Sequence, residues 1–414
     1  MFNLSEPWRR TLLIMFVAQL MTAIGFSNIF PFLPLYVDYL GSQTTLSVEF
    51  LAGAVFSAQA LTMMIASPLW GAVADRYGRK LMVQRAMFGG SIILLLMGFV
   101  RTAEELVLLR ALQGMVTGTV AAANALVASV APRSQMGYAM GMVQMGLLSG
   151  IAIGPLIGGV MADTVGYQMT FVLTAVLLFA AGLLVHFGVT ENFTPRVYED
   201  NQKHTLLGDW QHVLTAPGVS VTYLLSFLSH LARVIIIPIA PLFIVTIMPA
   251  DGRINTVTGL IVGLAAGAST LTAVYLGRLG DRWGHRRILR YSALAAALFY
   301  LPQAFVTDIW QLLLLQLLTG AAAGGMTPAL GALLAGYTEP GEEGNAFGID
   351  NSIVAASRAV APLLGAAVAT WFGLRSTFLL TGLVFLLVAL VAIWYLPEKR
   401  PLVVEPDKPC SSSV

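Results

Sequence analysis

Three arginines interrupt long apolar runs of the chain: Arg110, Arg233 and Arg358. If those runs cross a bilayer, each guanidinium costs about 2.5–3.5 kcal/mol to place near the centre. Such a group must face protein or water and find partners, so it marks a candidate site. His230 stands three residues before Arg233, which puts both on one helix face. Asp350 stands eight residues before Arg358, about 12 Å along a helix axis, too far for a direct pair. Together these groups would make an interior electropositive and suit it to anionic or zwitterionic ligands. Asp350 and His230 could also exchange protons, the imidazole because it titrates near neutral pH. The alternative is that the arginines only bind helix-end carbonyls or neighbouring Asn and Gln. Arg110, six residues after Glu104, could also snorkel to a surface. The first apolar run, 11–37, holds no Asp or Glu, and Gln19, Ser27 and Asn28 are its polar positions. Phe26, Phe30 and Phe56 could form an apolar wall for a ligand or plain core packing.

Composition sets the elements that must hold these groups. Of 414 residues, 57% are apolar and 11% charged, with mean hydropathy +0.79. Soluble proteins carry about 25% charged residues, so this chain could not cover a soluble surface. A net charge of +2 without a basic stripe argues against nucleic acid as a partner. Cys410, the one cysteine, excludes a disulfide framework and a Cys-based metal site. The chain reads as a helical protein that crosses a membrane many times.

A crossing takes about 20 apolar residues. Twelve runs qualify: 11–37, 49–73, 82–100, 104–129, 139–162, 168–190, 219–247, 257–277, 288–306, 309–335, 346–371 and 376–396. The polar segment 191–218 reads as a linker between six-helix bundles at 1–190 and 219–396, and 397–414 as a polar tail. With the N-terminus in the cytoplasm, 17 of the 23 Lys and Arg fall in cytoplasmic segments, three outside and three within spans. This bias predicts that both termini are cytoplasmic.

The second half echoes the first at an offset of 206 or 207 residues. Pro31-Phe32-Leu33-Pro34-Leu35 matches Pro238-Ile239-Ala240-Pro241-Leu242, and Phe26 aligns with Arg233. Gly71, Asp75, Arg76 and Gly78 match Gly277, Asp281, Arg282 and Gly284. Six helices per repeat is an even number, so the repeats insert the same way up. Secondary transporters use parallel repeats of this kind to form a midplane site between halves. A duplication without transport is the other reading.

The loop from Gly71 to Lys80 reads GAVADRYGRK, and its second copy, Gly277 to Arg287, reads GRLGDRWGHRR. Helix five reads GLLSGIAIGPLIGG, with Gly146, Gly150, Gly154 and Gly158 on one smooth face beside Pro155 and Gly159. Small faces let helices pack closely in lipid. In these motifs the chain resembles the major facilitator superfamily over almost its whole length. The resemblance implies an all-α membrane fold of twelve helices in two parallel six-helix repeats, and a transporter, not an enzyme. It further implies that Gly71, Asp75, Arg76, Gly78 and Arg79 latch the halves in an outward-facing state. Asp281 and Arg282 would serve the second latch, which departs from the pattern at His285. The helix-five motif resembles the antiporter motif of exporters, and Arg110 with Gln113 and Gly114 matches an arginine that assists proton transfer.

The resemblance thus implies an exporter of small drug-like molecules in a bacterial inner membrane, driven by protons, with no cofactor and no obligate protein partner. Arg110, His230, Arg233, Asp350, Arg358, Phe26, Gln19 and Asn28 would line the path of substrate and proton. Some relatives carry an acid in helix one, which this chain lacks. The titrating candidates are Asp38, Glu49, Asp75, Asp350 and His230, with Asp75 and Asp350 ranked first. A sugar, metabolite or lipid exporter, or a membrane sensor without transport, are the alternatives. No GxxxxGK[ST] loop appears, which disfavours an ATP-driven pump.

Overall fold

The computed structural model describes residues 6–132, 135–191, 218–249, 252–338 and 343–397. The expected linker and tail therefore lie almost wholly outside the described residues. The described elements are helical. In chain order they are α1 Pro7–Ser27, α2 Leu33–Leu40, α3 Val48–Tyr77, α4 Arg79–Met97, α5 Ala103–Val116, α6 Thr119–Val130 and α7 Met136–Gly188. The second half holds α8 Val219–Ile235, α9 Ala240–Ile247, α10 Ile254–Trp283, α11 His285–Tyr300, α12 Ile309–Ala323, α13 Met326–Tyr337, α14 Glu343–Phe372 and α15 Leu374–Trp394.

Among the described residues, nine helical stretches are long and apolar enough to cross a membrane. One of them, α7, runs 53 residues and turns at Gly166, whose φ of 83° admits few residues but glycine, so it makes two crossings. The broken helix α5–α6 and the 16-residue α11 supply two more, which gives twelve. Several crossings are not the unbroken helices expected. The first breaks between Ser27 and Leu33 and the seventh between Ile235 and Ala240. Pro31, Pro34, Pro238 and Pro241 explain both breaks, since proline lacks an N–H and its ring clashes with the carbonyl four residues back.

The repeat is visible in backbone detail. Gly78 and Gly284 end α3 and α10 with φ of 98° and 92°, and Gly166 and Gly373 turn with φ of 83° and 84°. Each half centres on the same aromatic pair, Tyr36 with Phe171 at 5.3 Å and Phe243 with Phe378 at 4.9 Å. An even number of crossings puts Pro7 and Trp394 on one side. That side is the near face, and the other the far face.

The smooth face of helix five packs on α1. A Cβ added at Gly146 would stand 2.8 Å from the Phe16 carbonyl oxygen, and one at Gly150 2.8 Å from that of Leu20. At Gly158 it would overlap the Asn28 carbonyl. Backbones this close let Ser27 Oγ donate to the Gly150 carbonyl at 3.0 Å, across the two helices.

Gly158→Ala should therefore destabilise by about 1–3 kcal/mol, the usual range for overpacking. Gly141→Ala, where a new Cβ meets nothing within 4 Å, should not. Melting curves in detergent, followed by fluorescence of the seven tryptophans, separate the two outcomes. Equal midpoints for both variants would refute this packing.

Candidate functional site at the interface of the two halves

The halves meet along two seams. In one, α7 lies against α10, so close that a Cβ at Gly259 would strike the Pro155 carbonyl and one at Gly263 would stand 3.0 Å from the Ala152 carbonyl. Gly159 faces Asn255 in the same way. In the other, α3 lies against α14, with a Cβ at Gly53 2.6 Å from the Pro362 carbonyl. All these contacts fall in the far-face halves of their helices.

Toward the near face the helices part. Eighteen residues make five helical turns, so Gly137 repeats the face of Pro155, and Gly277 repeats that of Gly259. A Cβ at Gly137 would meet no described atom within 4 Å. One at Gly277 would meet only Pro328 of its own half, at 3.6 Å. Among the described residues, the two halves thus touch toward the far face and stand apart at Gly137 and Gly277 toward the near face.

The C-terminal half brings four of the expected groups together. Arg233, at the middle of the seventh crossing, donates to the Ala323 carbonyl and to Thr327 Oγ1, the latter at 3.3 Å. Both acceptors flank the break between α12 and α13, so Arg233 takes the helix-end partner foreseen as the alternative. His230 donates through Nδ1 to the Ser226 carbonyl at 2.9 Å, one turn back on α8, which leaves Nε2 as its acceptor. Arg233, Arg358 and Asp350 all stand within electrostatic range of His230. Arg358 lies midway along α14, is exposed, and makes no hydrogen bond or ion pair among the described residues. Of the two arginines in this group, it is the one left for a ligand.

The N-terminal candidates sit elsewhere. Arg110 is 1% exposed and does not snorkel. Its Nη1 donates to Gln113 Oε1 at 2.7 Å, its Nε to the Val55 carbonyl at 3.3 Å, and its guanidinium stands 5.6 Å from the Phe56 ring centre. Gln19 is fully buried, with neither amide atom hydrogen-bonded. Asn28 donates to Thr174 Oγ1 at 2.7 Å, and Phe26 packs on the core around Phe32 and Phe171. In this conformation these four residues belong to the interior of one half.

The side chain of Asp75 and the surroundings of Gly71 lie outside the described residues. Arg76 is exposed and lies over Tyr77 at 5.5 Å, while Asp281 pairs with His285 of its own loop at 3.2 Å. Arg282 is exposed. Around Gly78 a different acid acts: Glu191 accepts from the backbone N–H groups of Arg79 and Lys80 at 3.1 and 2.7 Å. It caps α4, which has no side-chain cap of its own. Arg79 thus takes part through its backbone.

Sequence reasoning misses three features. It places Glu191 in the linker. It counts Arg85 with the loop cations, yet Arg85 lies inside α4 and stacks on Trp70 at 3.5 Å, and Trp70 Nε1 donates to the Met115 carbonyl at 2.6 Å. It passes over Asp163, which joins the two halves. A carboxylate near a helix end opposite another helix's first turn is the available signal.

The sequence profile of the Major Facilitator Superfamily matches residues 15–248 and 222–409. The chain is 37% identical over 397 residues to the multidrug resistance protein MdtG of Serratia proteamaculans, a match covering 95% of each chain. It is 36% identical over 400 residues to the protein of that name from Salmonella paratyphi A, covering 96% of this chain and 98% of the relative. Among solved structures, a bacterial homolog of the human lysosomal transporter Spinster, inward-facing and unoccupied, superposes with a TM-score of 0.80 at 13% identity, covering 94% of this chain and 96% of that one. A D-xylose–proton symporter gives 0.77 at 16%, covering 94% and 98%.

Removing the Arg110 side chain would strand the buried Gln113 Oε1, whereas the Val55 carbonyl lies inside α3 and keeps its helix partner. Arg110→Ala should cost about 1–3 kcal/mol of stability, the usual penalty for unpaired buried polar groups. Arg358→Ala should leave the melting midpoint unchanged, because Arg358 has no hydrogen-bond or ion-pair partner among the described residues to lose. Thermal melts of both variants in one detergent make the comparison, and a larger loss at Arg358 would contradict these assignments.

Proposed function

Because the chain belongs to the major facilitator superfamily, we propose that it exports small drug-like molecules in exchange for protons, by alternating access. It is a multi-pass membrane transporter, not an enzyme. The relatives named for multidrug resistance support the drug cargo. The excess of Lys and Arg on the near face supports a cytoplasmic near face with both termini inside, and the bacterial relatives support a bacterial inner membrane.

One observation carries the reading. Among the described residues, the two halves touch through glycine-lined seams toward the far face and stand apart at Gly137 and Gly277 toward the near face. With the near face cytoplasmic, this is the loading state of an exporter. The latch around Asp75 and Asp281 would close that face in the other state. A proton or substrate shifts this balance only by binding one state better than the other. Asp75 and Asp350 are the acids we assign first to proton exchange, with His230 behind them. Energy would come from the proton gradient, and no cofactor is needed.

The free Arg358, with Arg233 and His230 beside it, favours anionic or zwitterionic cargo. Everted vesicles assayed with a panel of anionic, zwitterionic and cationic drugs, with sugars as controls, test this directly. Arg358→Ala should lower anion transport about tenfold more than cation transport, the worth of about 1.4 kcal/mol. Arg358→Lys should restore part of it. Equal losses for both charges would sink the charge argument. Asp350→Asn and Asp75→Asn should abolish transport driven by a pH gradient but spare substrate binding. Full activity in both would show that the proton uses another group.

A further inference from the structure

We propose that Asp163 bolts the far gate, so that the seam between α7 and α10 is fastened by charge while its symmetry mate is not. The Asp163 carboxylate reaches from the first half to the start of a helix in the second. Oδ1 accepts from Asn255 Nδ2 at 2.7 Å and from the Asn255 backbone N–H at 3.3 Å. Oδ2 accepts from the Thr256 backbone N–H at 2.7 Å and from Thr256 Oγ1 at 2.6 Å. These are first-turn groups of α10, whose own N-cap residue, Arg253, supplies no side-chain cap. The first N–H groups of a helix have no partner within it, and the positive end of its dipole favours an anion. The cap of α10 is therefore lent by the other half, and it exists only while the far gate is shut.

The equivalent place in the other seam is built differently. Position 163 corresponds to Thr370, on α14, at the offset of 207 residues that relates the halves. Thr370 shares one neutral hydrogen bond with Ser47, at 2.9 Å. Ser47 also caps α3 itself, accepting from the Phe50 N–H at 3.2 Å. So α3 keeps its cap when the halves separate, and α10 loses one. Below Asp163, the backbone contacts of Gly159 with Asn255 and of Gly259 with Pro155 leave no room for the seam to slide. Opening must draw Asp163 off α10, and this step opposes the outward-facing state. Asp163 is thus a positioning residue for transport, acting on the gate and not on the cargo.

The inference rests on alternating access but not on what is carried, so its test needs no substrate. Spin labels at exposed far-face loop positions, Thr45→Cys in one half and Thr307→Cys in the other, on a Cys410→Ser background, report the gate as a distance distribution in nanodiscs. Asp163→Ala should move the ratio of closed to open molecules about tenfold toward open, the worth of one charge-assisted hydrogen bond. Asp163→Asn, which keeps an acceptor but loses the charge, should move it less. Thr256→Val, which removes a donor from the other half, should move it the same way, and it serves if Asp163→Ala does not fold. Thr370→Ala should shift the ratio by less than about twofold. Unchanged distributions in both Asp163→Ala and Thr256→Val overturn the proposal, as does a shift at Thr370→Ala equal to that at Asp163→Ala. A wild-type protein with one distance at every pH and in every lipid would instead count against alternating access itself.

Discussion

A bilayer offers no hydrogen-bond partner to a peptide group, and the rest of this structure depends on that constraint. Twelve crossings are helical because a helix satisfies its own backbone. Wherever the helix fails, the protein must supply what lipid cannot. The fourth crossing breaks at Thr117, and there Thr117 Oγ1 turns back to the Gln113 carbonyl while Trp70 Nε1 takes that of Met115. The tenth crossing breaks after Ala323, and Arg233 takes the Ala323 carbonyl. The same defect, in equivalent places, is repaired by an indole in one half and a guanidinium in the other. An arginine at midplane is stable there because a helix end is waiting for it.

The same constraint shapes the seams. Between apolar helices in lipid there is little hydrophobic gain, so contact depends on close approach and on hydrogen bonds. Glycines provide the approach: the face from Gly146 to Gly158 settles on α1, and Gly159 and Gly259 bring the halves together. The face toward α1 lies inside one half and has no reason to open. The face toward α10 lies between halves and must. One helix, α7, serves both duties with different sides of one glycine-rich segment, so packing and gating are divided between its faces.

Charge is distributed with the same economy. Lys and Arg crowd the near face, where some already have backbone tasks: Arg290 holds the carbonyls of Ala392 and Ile393 at the C-terminal end of α15, where a cation suits the helix dipole. Within the membrane, Arg110 is locked to Gln113 and Val55, and Arg233 to the tenth crossing. Arg358 is left exposed on α14 with no hydrogen bond or ion pair among the described residues. The candidate site is therefore lopsided, with its charged groups in the C-terminal half and its buried polar core in the N-terminal half.

Much of this is legible in the sequence. The crossings, the duplication and the family come from apolar length, glycine and proline spacing and the paired loops, because these are local properties that a bilayer enforces residue by residue. The same reasoning finds Arg233, Arg358, His230 and Asp350, since a charge in an apolar run announces itself. It does not separate Arg358 from Arg110, because both look alike along the chain and differ only in what the fold puts beside them. Nor does it find Asp163, Glu191 or the stacking of Arg85 on Trp70, each of which looks like an ordinary charge near a helix end. Their partners lie 92, 112 and 15 residues away in sequence. Sequence determined which segments enter the membrane and which charges go with them. Only the tertiary structure decided which of those charges are hydrogen-bonded and where the two halves touch, because both depend on contacts between helices that the chain brings together only after it has crossed the membrane.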